Sequence, residues 1–262
     1  MPSGLALIGD AGQLAALADD LLRALRKVAS REELAALMTC LASEIGFRHF
    51  ALIHHDPLAG ERPDRVDIRD YPAAIVDRLF DQGQLRRDPV IRGCLFSDGA
   101  FLWSDLDKII TFTRQDRHSL EFGAGHGLNE GITVPHVLLG ECIGSCTFAG
   151  ATDPQLASRY LGFAQITGIF AFQAARRMLL ASPLIGPAPR LHPRPRDCVV
   201  LAGRGFSNKE IARELGLTPR TVDGYLTEAR RLFDAHDRAE LVVSAVLAGE
   251  IGLDELKPRQ TE

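Results

Sequence analysis

Apolar residues recur along this chain with two different periods, and these periods predict its elements. Steps of three and four predict amphipathic helices at 13–28 and 31–45, the second opened by Ser30 and Glu33 in capping-box spacing. Further helices are predicted at 72–81, 89–96, 114–125 and 154–180, and strands at 47–55, 65–69, 132–138 and 142–149. This order predicts a mixed sheet flanked by helices.

The pattern changes after residue 182. Five prolines between Pro183 and Pro195 mark a stiff linker, which we expect at 183–190. The chain has 262 residues, enough for one large and one small domain. We therefore expect a first domain at 1–182 and a small all-α domain at 191–262.

The small domain contains a predicted helix–turn–helix at 205–233. Ser207 and Glu210 have the spacing of a capping box, Gly216 suits a helix end, and Thr218 caps a second helix that begins with Pro219. One face of the second helix is apolar, through Val222, Leu226, Ala229 and Phe233. The other face is polar, a division that a helix needs when it packs on one side and contacts DNA on the other.

Residues on the polar face are the candidate DNA contacts. Their spacing also suits an ordinary helical hairpin with a solvated charged face, but the two caps and the short turn favour DNA binding. We expect Asp223, Tyr225 and Thr227 to contact base edges. The residues expected to contact phosphates are Lys209, Arg220, Arg230 and Arg231. Thr221, on the second helix, is a further candidate DNA contact.

Charge is compatible with this interpretation only locally. The net charge is −4, yet residues 190–231 hold nine basic and five acidic residues. Because phosphate contact depends on local charge, this modest positive excess is enough for DNA binding, especially if two copies of the domain act together. No apolar run approaches ~20 residues and no signal peptide opens the chain, so we expect a cytoplasmic protein without a membrane partner.

Metal and catalytic sites are poorly supported. The five cysteines include no CxxC pair, and Cys142 and Cys146, the closest two, have no second ligand pair nearby. The glycine-rich segment 123–127 ends a predicted helix and does not follow a strand, so it does not fit a phosphate-binding loop. We expect neither an enzyme nor a bound cofactor. The helical first 45 residues also disfavour a phosphorylated response regulator.

The small domain resembles the GerE/LuxR-type DNA-binding domain. The resemblance is carried by Pro193–Arg194–Pro195–Arg196, by the run 205–212 and by Thr221–Val222. Pro195 stands where the family usually has an acidic residue, a change that the first turn of a helix tolerates. The resemblance implies a DNA-binding regulator that acts as a homodimer on an inverted repeat, with RNA polymerase as a partner.

The first domain resembles the autoinducer-binding domain of LuxR-type quorum-sensing regulators. The matching segments are Tyr71–Pro72, Asp88–Pro89–Val90, Trp103–Ser104–Asp105 and the run 131–135. Their intervals are also those of the family, with seventeen positions from Tyr71 to Asp88 and fifteen from Asp88 to Trp103. The resemblance implies an α/β/α sandwich that encloses an N-acyl homoserine lactone and dimerises.

The resemblance also assigns ligand contacts. Asp88 would accept the amide N–H of the ligand, Tyr71 would donate to its amide carbonyl, Trp103 would wall the pocket, and Thr147 would contact an oxygen of the acyl chain. Two simpler alternatives are that Asp88 only caps the following helix and that Trp103 is only a core residue.

Two positions depart from the family pattern. Ile75 and Leu79 stand where the family usually has tryptophan and tyrosine, so the usual indole donor to the lactone carbonyl is absent. Either another group donates to that carbonyl, or the ligand lacks it. The candidate donors are His54, His55 and Arg69, although a solvated position at the end of a strand is the simpler expectation for each of them. The alternative function is a LuxR-type orphan regulator that responds to a non-lactone hydrophobic signal or acts without ligand.

Two helices are candidate dimer contacts, because their apolar residues exceed what one packed face requires. The residues are Leu161, Ile166, Ile169 and Phe170 in the helix predicted at 154–180, and Leu241, Val242, Ala245 and Val246 in a helix predicted at 237–248.

Overall fold

The protein is described from a computed structural model, which covers residues 4–55, 65–138, 141–179 and 189–257. The chain divides into two compact units, Met1–Ser182 and Pro183–Glu262. Residues 183–188 of the predicted linker lie outside the described residues.

The first unit is organised around a five-stranded sheet. Its strands are β1 (Phe47–His54), β2 (Asp67–Arg69), β3 (Phe101–Leu102), β4 (Gly131–His136) and β5 (Gly144–Ala151), in the order β2-β1-β5-β4-β3. The four pairings are all antiparallel, so the described sheet is antiparallel throughout and not mixed. The sequence predicted four of these strands. With two residues, β3 is too short to show a period.

One face of the sheet is covered by three long helices, α1 (Gly4–Lys27), α2 (Arg31–Glu44) and α7 (Leu161–Leu179). Side chains of alternate strand residues, such as Phe50, Leu52 and Phe148, belong to one buried cluster with Leu34 and Met38 of α2. Period-two alternation sends the intervening residues to the opposite face. The sheet is therefore buried on this side and free to form a site on the other.

Short helical segments cover the opposite face. They are α3 (Ala73–Val76), continued by a π-helical turn (Asp77–Asp81), then α4 (Pro89–Gly93), α5 (Leu106–Ile109) and α6 (Arg114–Gly125). The helix predicted at 72–81 is thus partly π-helical, a geometry common at functional sites. With helices on both faces, the unit is the α/β/α sandwich that the resemblance implied.

Most apolar side chains of helix α7 pack within the first unit. Of the four residues suggested as a dimer contact, Leu161, Ile169 and Phe170 pack partly buried against the core. Ile166 alone of these four is exposed, at 47%. Packing against both α1 and the sheet uses more than one face of the helix, which the sequence period did not indicate.

The second unit consists of α8 (Pro193–Gly203), α9 (Asn208–Leu215), α10 (Pro219–Leu232) and α11 (Arg238–Leu247). The predicted caps are present. Ser207 and Glu210 form a capping box, Gly216 ends α9 in a left-handed conformation at φ 65°, and Thr218 accepts from the backbone N–H of Thr221. Pro195 is accommodated in the first turn of α8.

The prediction for α11 was wrong in its choice of face. Leu241, Ala245 and Val246 are buried in the core of their own unit, and Val242 is half-buried against it. Two other apolar residues are exposed one turn apart, Val243 at 56% and Leu247 at 52%. The reason is that the small unit has few helices, so α11 must contribute its richest apolar face to the core.

Candidate functional site

A pocket lies on the face of the sheet opposite α7. It contains about 610 Å³ of empty space, its open mouth included. Its lining comes from β1, β5, α3, the π turn, α6 and the segments at Asp88 and Trp103. All six predicted ligand residues line this one pocket, namely Tyr71, Ile75, Leu79, Asp88, Trp103 and Thr147.

Asp88 occupies a position that serves two purposes. Its Oδ1 accepts from the backbone N–H of Val90 at 2.9 Å and of Ile91 at 3.3 Å, so it caps α4. No protein donor bonds Oδ2 among the residues that the structure describes, which leaves this oxygen for a pocket ligand. Burial raises the pKa of Asp88 to about 6, although the two backbone N–H groups and Arg78 oppose the rise.

The Tyr71 phenol lies near this carboxyl group. Burial, and then the charge of Asp88, raise the pKa of Tyr71 above its usual value of 10. The phenol is therefore neutral at physiological pH and can donate its hydrogen. An acceptor at Asp88 and a donor at Tyr71 match the two polar groups of a secondary amide.

A hydrogen-bonded chain connects Trp103 to the centre of the sheet. The indole Nε1 donates to Thr133 Oγ1 at 2.9 Å, and Thr133 Oγ1 lies 3.0 Å from Thr147 Oγ1. The indole only donates, so the fully buried Thr133 Oγ1 accepts from it, and either threonine hydroxyl can donate to the other. The Thr147 hydroxyl also faces the Tyr71 phenol, and its hydrogen bond to that oxygen partly offsets the rise in the pKa of Tyr71. The indole N–H of Trp103 is already used within the protein.

The backbone around Trp103 is held by the buried carboxylate of Glu130. Its Oε1 accepts from the N–H of Trp103 at 3.0 Å, of Ser104 at 3.3 Å and of Gly131 at 2.8 Å. The indole packs directly over Gly131, where a Cβ would lie 2.6 Å from a ring atom. Trp103 is thus a fixed wall of the pocket and part of an adjoining apolar cluster.

The two departures from the family lie inside the pocket. Ile75 is only 4% exposed and packs in a cluster with Leu128 and Ala149, and Leu79 packs against the same cluster. Neither side chain can donate a hydrogen bond. The pocket surface that these two side chains provide is consequently apolar.

The three suggested replacement donors are elsewhere. His54 and His55 are buried, contrary to the solvated role expected at a strand end, because His54 packs edge-on against Phe172 of α7 and His55 bonds Ser145 at 2.9 Å. Burial, and then His54, lower the pKa of His55 to about 3. Arg69 lies over the Phe80 ring. None of the three is among the lining residues.

Sequence reasoning missed Arg78 and Ser119, which both line the pocket. Arg78 Nη2 donates to Ser119 Oγ at 2.9 Å, and its guanidinium lies 4.4 Å from the centre of the Phe122 ring. The spacing of Arg78 from Ile75 gave a usable signal, since residues three apart share a helix face. Nothing in the sequence singled out Ser119.

Other kinds of site find little support in the described part of the chain. No group of three His, Cys, Asp or Glu residues there is placed to hold a metal ion. Cys142 is half-buried and Cys146 is buried on the α7 side of the sheet, and neither forms a disulfide with another described cysteine. Among the described helices none is long and apolar enough to cross a membrane.

The candidate DNA contacts surround α10 of the second unit. Lys209, Arg220, Asp223 and Arg231 are exposed, whereas Thr221, Tyr225, Thr227 and Arg230 are half-buried. Tyr225 packs against the core of the unit. The Thr221 hydroxyl bonds Thr218 at 2.8 Å, and Arg230 donates to Thr227 at 3.2 Å. Val222, Leu226 and Ala229 form the buried face, as predicted.

Known proteins match both units. Residues 30–175 match the family described as "Autoinducer binding domain", and residues 190–245 match "Bacterial regulatory proteins, luxR family". The transcriptional activator protein AnoR of Acinetobacter nosocomialis is 24% identical over 237 residues, which cover 88% of this chain and 97% of AnoR. The quorum sensing-dependent transcriptional regulator RpaR of Rhodopseudomonas palustris is 30% identical over 198 residues, which cover 73% of this chain and 77% of RpaR.

Solved structures share the fold. Crystalline Escherichia coli SdiA matches with a TM-score of 0.55 and 20% identity, over 90% of this chain and 98% of SdiA. SdiA in complex with octanoyl-rac-glycerol matches with a TM-score of 0.54, 20% identity and coverage of 89% and 94%. The protein belongs to the LuxR family and is a quorum-sensing-type transcription regulator, with an autoinducer-binding domain followed by a helix–turn–helix DNA-binding domain.

Proposed function

We propose that this regulator binds a hydrophobic autoinducer of the N-acyl homoserine lactone type in the pocket of its first unit, and that a homodimer then binds an inverted-repeat promoter site. The observation that carries the proposal is the meeting of Asp88, Tyr71 and Thr147 in one largely apolar pocket. The regulator acts in the cytoplasm, where promoter DNA and RNA polymerase are found.

The pocket chemistry fits an acyl amide. Asp88 Oδ2 accepts the amide N–H while Oδ1 remains the cap of α4. Tyr71 donates to the amide carbonyl, and the Thr147 hydroxyl turns from the Tyr71 oxygen to donate to an oxygen near the start of the acyl chain. Each buried amide group left without a partner would cost ~1–3 kcal/mol, so these contacts select for an amide.

Ligand binding couples to stability because the ligand fills space between the sheet and the short helices. A ligand that binds only the folded form stabilises it by RT ln(1 + [L]/Kd), or ~2.7 kcal/mol at a hundredfold excess over Kd. The helices α3 to α6 are short, with 4 to 12 residues each. Because short helices have few packing contacts of their own, their stability should increase most when a ligand adds apolar contacts.

The second unit supplies the DNA contacts and a dimer surface. Exposed Val243 and Leu247 of α11 form an apolar stripe that a second copy would cover. Two-fold dimers read half-sites about one helical turn apart, which makes the operator an inverted repeat. Pairing also doubles the modest local positive charge that contacts phosphates.

A second candidate is a regulator of the same family that responds to a non-lactone hydrophobic signal. The apolar pair Ile75 and Leu79 favours it, because the usual indole donor to a lactone carbonyl is absent. A structural relative, SdiA, is described in complex with octanoyl-rac-glycerol, which is not a lactone.

The test uses the full chain with N-octanoyl homoserine lactone or octanoyl-rac-glycerol, thermal unfolding as the first readout and selection from randomised duplex DNA as the second. We expect the lactone to raise the unfolding temperature more than the glycerol ester does and the selected DNA to be an inverted repeat. Stabilisation by the glycerol ester alone would support the second candidate. No stabilisation by either would contradict ligand binding of this type.

The dimer surface needs its own variants. Val243→Lys should weaken self-association in analytical ultracentrifugation and the affinity for the full inverted repeat. Leu253→Lys is the matched control, because Leu253 is also an exposed apolar residue, at 65%, and lies outside α11. Equal effects of the two variants would argue against α11 as the contact.

A further inference from the structure

Arg78 is held at the pocket by two residues of α6. Its Nη2 donates to Ser119 Oγ at 2.9 Å, and its guanidinium lies 4.4 Å from the centre of the Phe122 ring, in cation–π range. All three residues line the pocket. A side chain fixed in this way loses little further freedom when it binds a ligand.

Most of the hydrogen-bonding capacity of Arg78 is unused. A guanidinium carries five N–H donors, and Ser119 accepts from one. Three other half-buried arginines of this unit each pair with a carboxylate, Arg69 with Asp67, Arg92 with Asp116 and Arg176 with Glu141. Arg78 has no such pair among the residues that the structure describes. Its remaining donors are available to a molecule in the pocket.

The position of Arg78 complements the missing donor. Ile75 occupies the family's tryptophan position, and Arg78 follows it by three residues on the same side of the chain. The chain here is the π-helical turn Asp77–Asp81, which is wider than an α-helix and changes the direction of its side chains. An apolar wall and a cationic donor therefore adjoin each other in one part of the pocket.

We propose that Arg78, held by Ser119 and Phe122, donates to a carbonyl oxygen in the head group of the ligand and thereby replaces the absent indole N–H. This inference rests on the proposed amide anchor at Asp88. It predicts a neutral, carbonyl-bearing head group, because Arg78 and Asp88 both line the pocket and their opposite charges already offset each other there. Arg78 is thus a specificity-determining residue.

The test compares two probes that differ only in the ring carbonyl and ring oxygen. N-octanoyl homoserine lactone has both, whereas N-cyclopentyl octanamide keeps the amide, the ring size and the acyl chain. Dissociation constants for the full-length protein are measured by isothermal titration calorimetry. We expect the wild type to bind the lactone at least about tenfold more tightly, as a charge-assisted hydrogen bond provides.

Arg78→Met removes the donors and keeps a long side chain. Titrations at about pH 8 keep Asp88 ionised even without Arg78, whose charge lowers the pKa of that carboxyl. Under these conditions we expect the variant to bind the lactone about tenfold more weakly and the cyclopentyl amide nearly as well as the wild type does. Arg86→Met is the matched control, since Arg86 is exposed and does not line the pocket. An equal loss for both probes would make Arg78 a structural residue, and no loss for either would remove its role. Both outcomes overturn the proposal.

Two further measurements keep the test decisive if Arg78→Met does not fold. Ser119→Ala removes the hydroxyl that positions Arg78 and should reduce lactone preference without reducing amide binding. The wild-type comparison needs no variant, and equal binding of the two probes would overturn the proposal. A ring-opened N-octanoyl homoserine that binds more tightly than the lactone would also overturn it, because that head is anionic.

Failure of this inference is distinguishable from failure of the proposed function. If the cyclopentyl amide binds and Asp88→Asn weakens it, the amide anchor stands whatever Arg78 does. If the wild type binds neither probe, the proposed ligand class is wrong, and the inference about Arg78 is overturned with it.

Discussion

Asn208 of α9 donates from Nδ2 to Oδ1 of Asp223 in α10, at 3.3 Å across the helix–turn–helix. The same Asn208 accepts from Arg238 of α11 through Oδ1 at 3.0 Å. Asp223 is exposed, yet its carboxylate is oriented by the preceding helix. The predicted base reader therefore also links the helices of its motif.

Asp223→Ala should alter the preferred DNA sequence, because a carboxylate accepts from the amino group of cytosine and discriminates by ~1–3 kcal/mol. Asn208→Ala is the control, since it keeps the carboxylate but removes its positioning bond. We expect that variant to retain the sequence preference and to lose ~0.5–1.5 kcal/mol of stability. Selection from randomised sites measures the first effect, and urea unfolding the second. An unchanged preference in Asp223→Ala would contradict base reading by this residue.

Asp88→Asn should weaken the response to an acyl amide by ~1–3 kcal/mol, because the ligand N–H loses its carboxylate acceptor. Asparagine keeps the size and can still cap α4 through its carbonyl oxygen. The midpoint of a ligand titration, followed by thermal unfolding, measures the loss. Should the variant respond with an unchanged midpoint, the amide anchor would be wrong.

Ligand affinity should depend on pH through Asp88, whose pKa is raised to about 6 by burial. The ionised carboxylate accepts the amide N–H, so affinity is present above about pH 6 and should fall about tenfold near pH 5. Arg78 and Asp116 influence this carboxyl group, and Asp88 in turn raises the pKa of Tyr71. His55 ionises near pH 3 and does not compete. Asp88→Asn should make the profile flat, and a steep profile in that variant would assign the effect elsewhere.

The free protein should show the opposite dependence. The folded pKa of Asp88 exceeds the value of about 4 that an unfolded aspartate has, so between these values the native state binds more protons. This group's contribution to stability is then highest below about pH 4 and falls as pH rises through about 6. The difference in unfolding free energy between wild type and Asp88→Asn, measured without ligand across this range, checks the sign.

Ile75→Trp should change the ranking of ligands. The new indole N–H would supply the donor that the pocket lacks at this position and favour a standard lactone over an analogue with an apolar or aromatic head. Because Ile75 is 4% exposed and packed, the larger ring should also cost ~1–3 kcal/mol of stability. Ligand rankings are therefore compared within each variant by thermal unfolding. An unchanged ranking would place residue 75 away from the head group.

Gly131→Ala should displace the Trp103 wall. A Cβ there would lie 2.6 Å from the indole and 2.9 Å from the Phe148 carbonyl oxygen, so the ring or the strand must move. We expect a loss of ~1–3 kcal/mol of stability and a shifted tryptophan fluorescence spectrum, Trp103 being the single tryptophan. Gly162→Ala in α7 is the control, since nothing lies within 4 Å of its added methyl group. Similar losses in the two variants would contradict the steric account.

The sequence by itself determined the features that depend on neighbours within a few positions. The capping box of Ser207 and Glu210, the left-handed Gly216 and the Thr218 cap all formed as predicted, because each needs only a partner within four residues or its own backbone conformation. The buried face of α10 also followed from its period. The intervals shared with the family also predicted that Tyr71, Asp88 and Trp103 line one pocket.

Tertiary structure decided which polar groups in that pocket remain free. The bond between Arg78 and Ser119 joins residues 41 positions apart, and the indole of Trp103 is occupied by Thr133, 30 positions away. Burial of His54 and the exposure of Val243 were likewise set by distant elements that cover one face and not the other. The local sequence indicates which hydrogen bonds a side chain can form. Only the packed fold determines which partner that side chain meets and which of its donors remain available to a ligand.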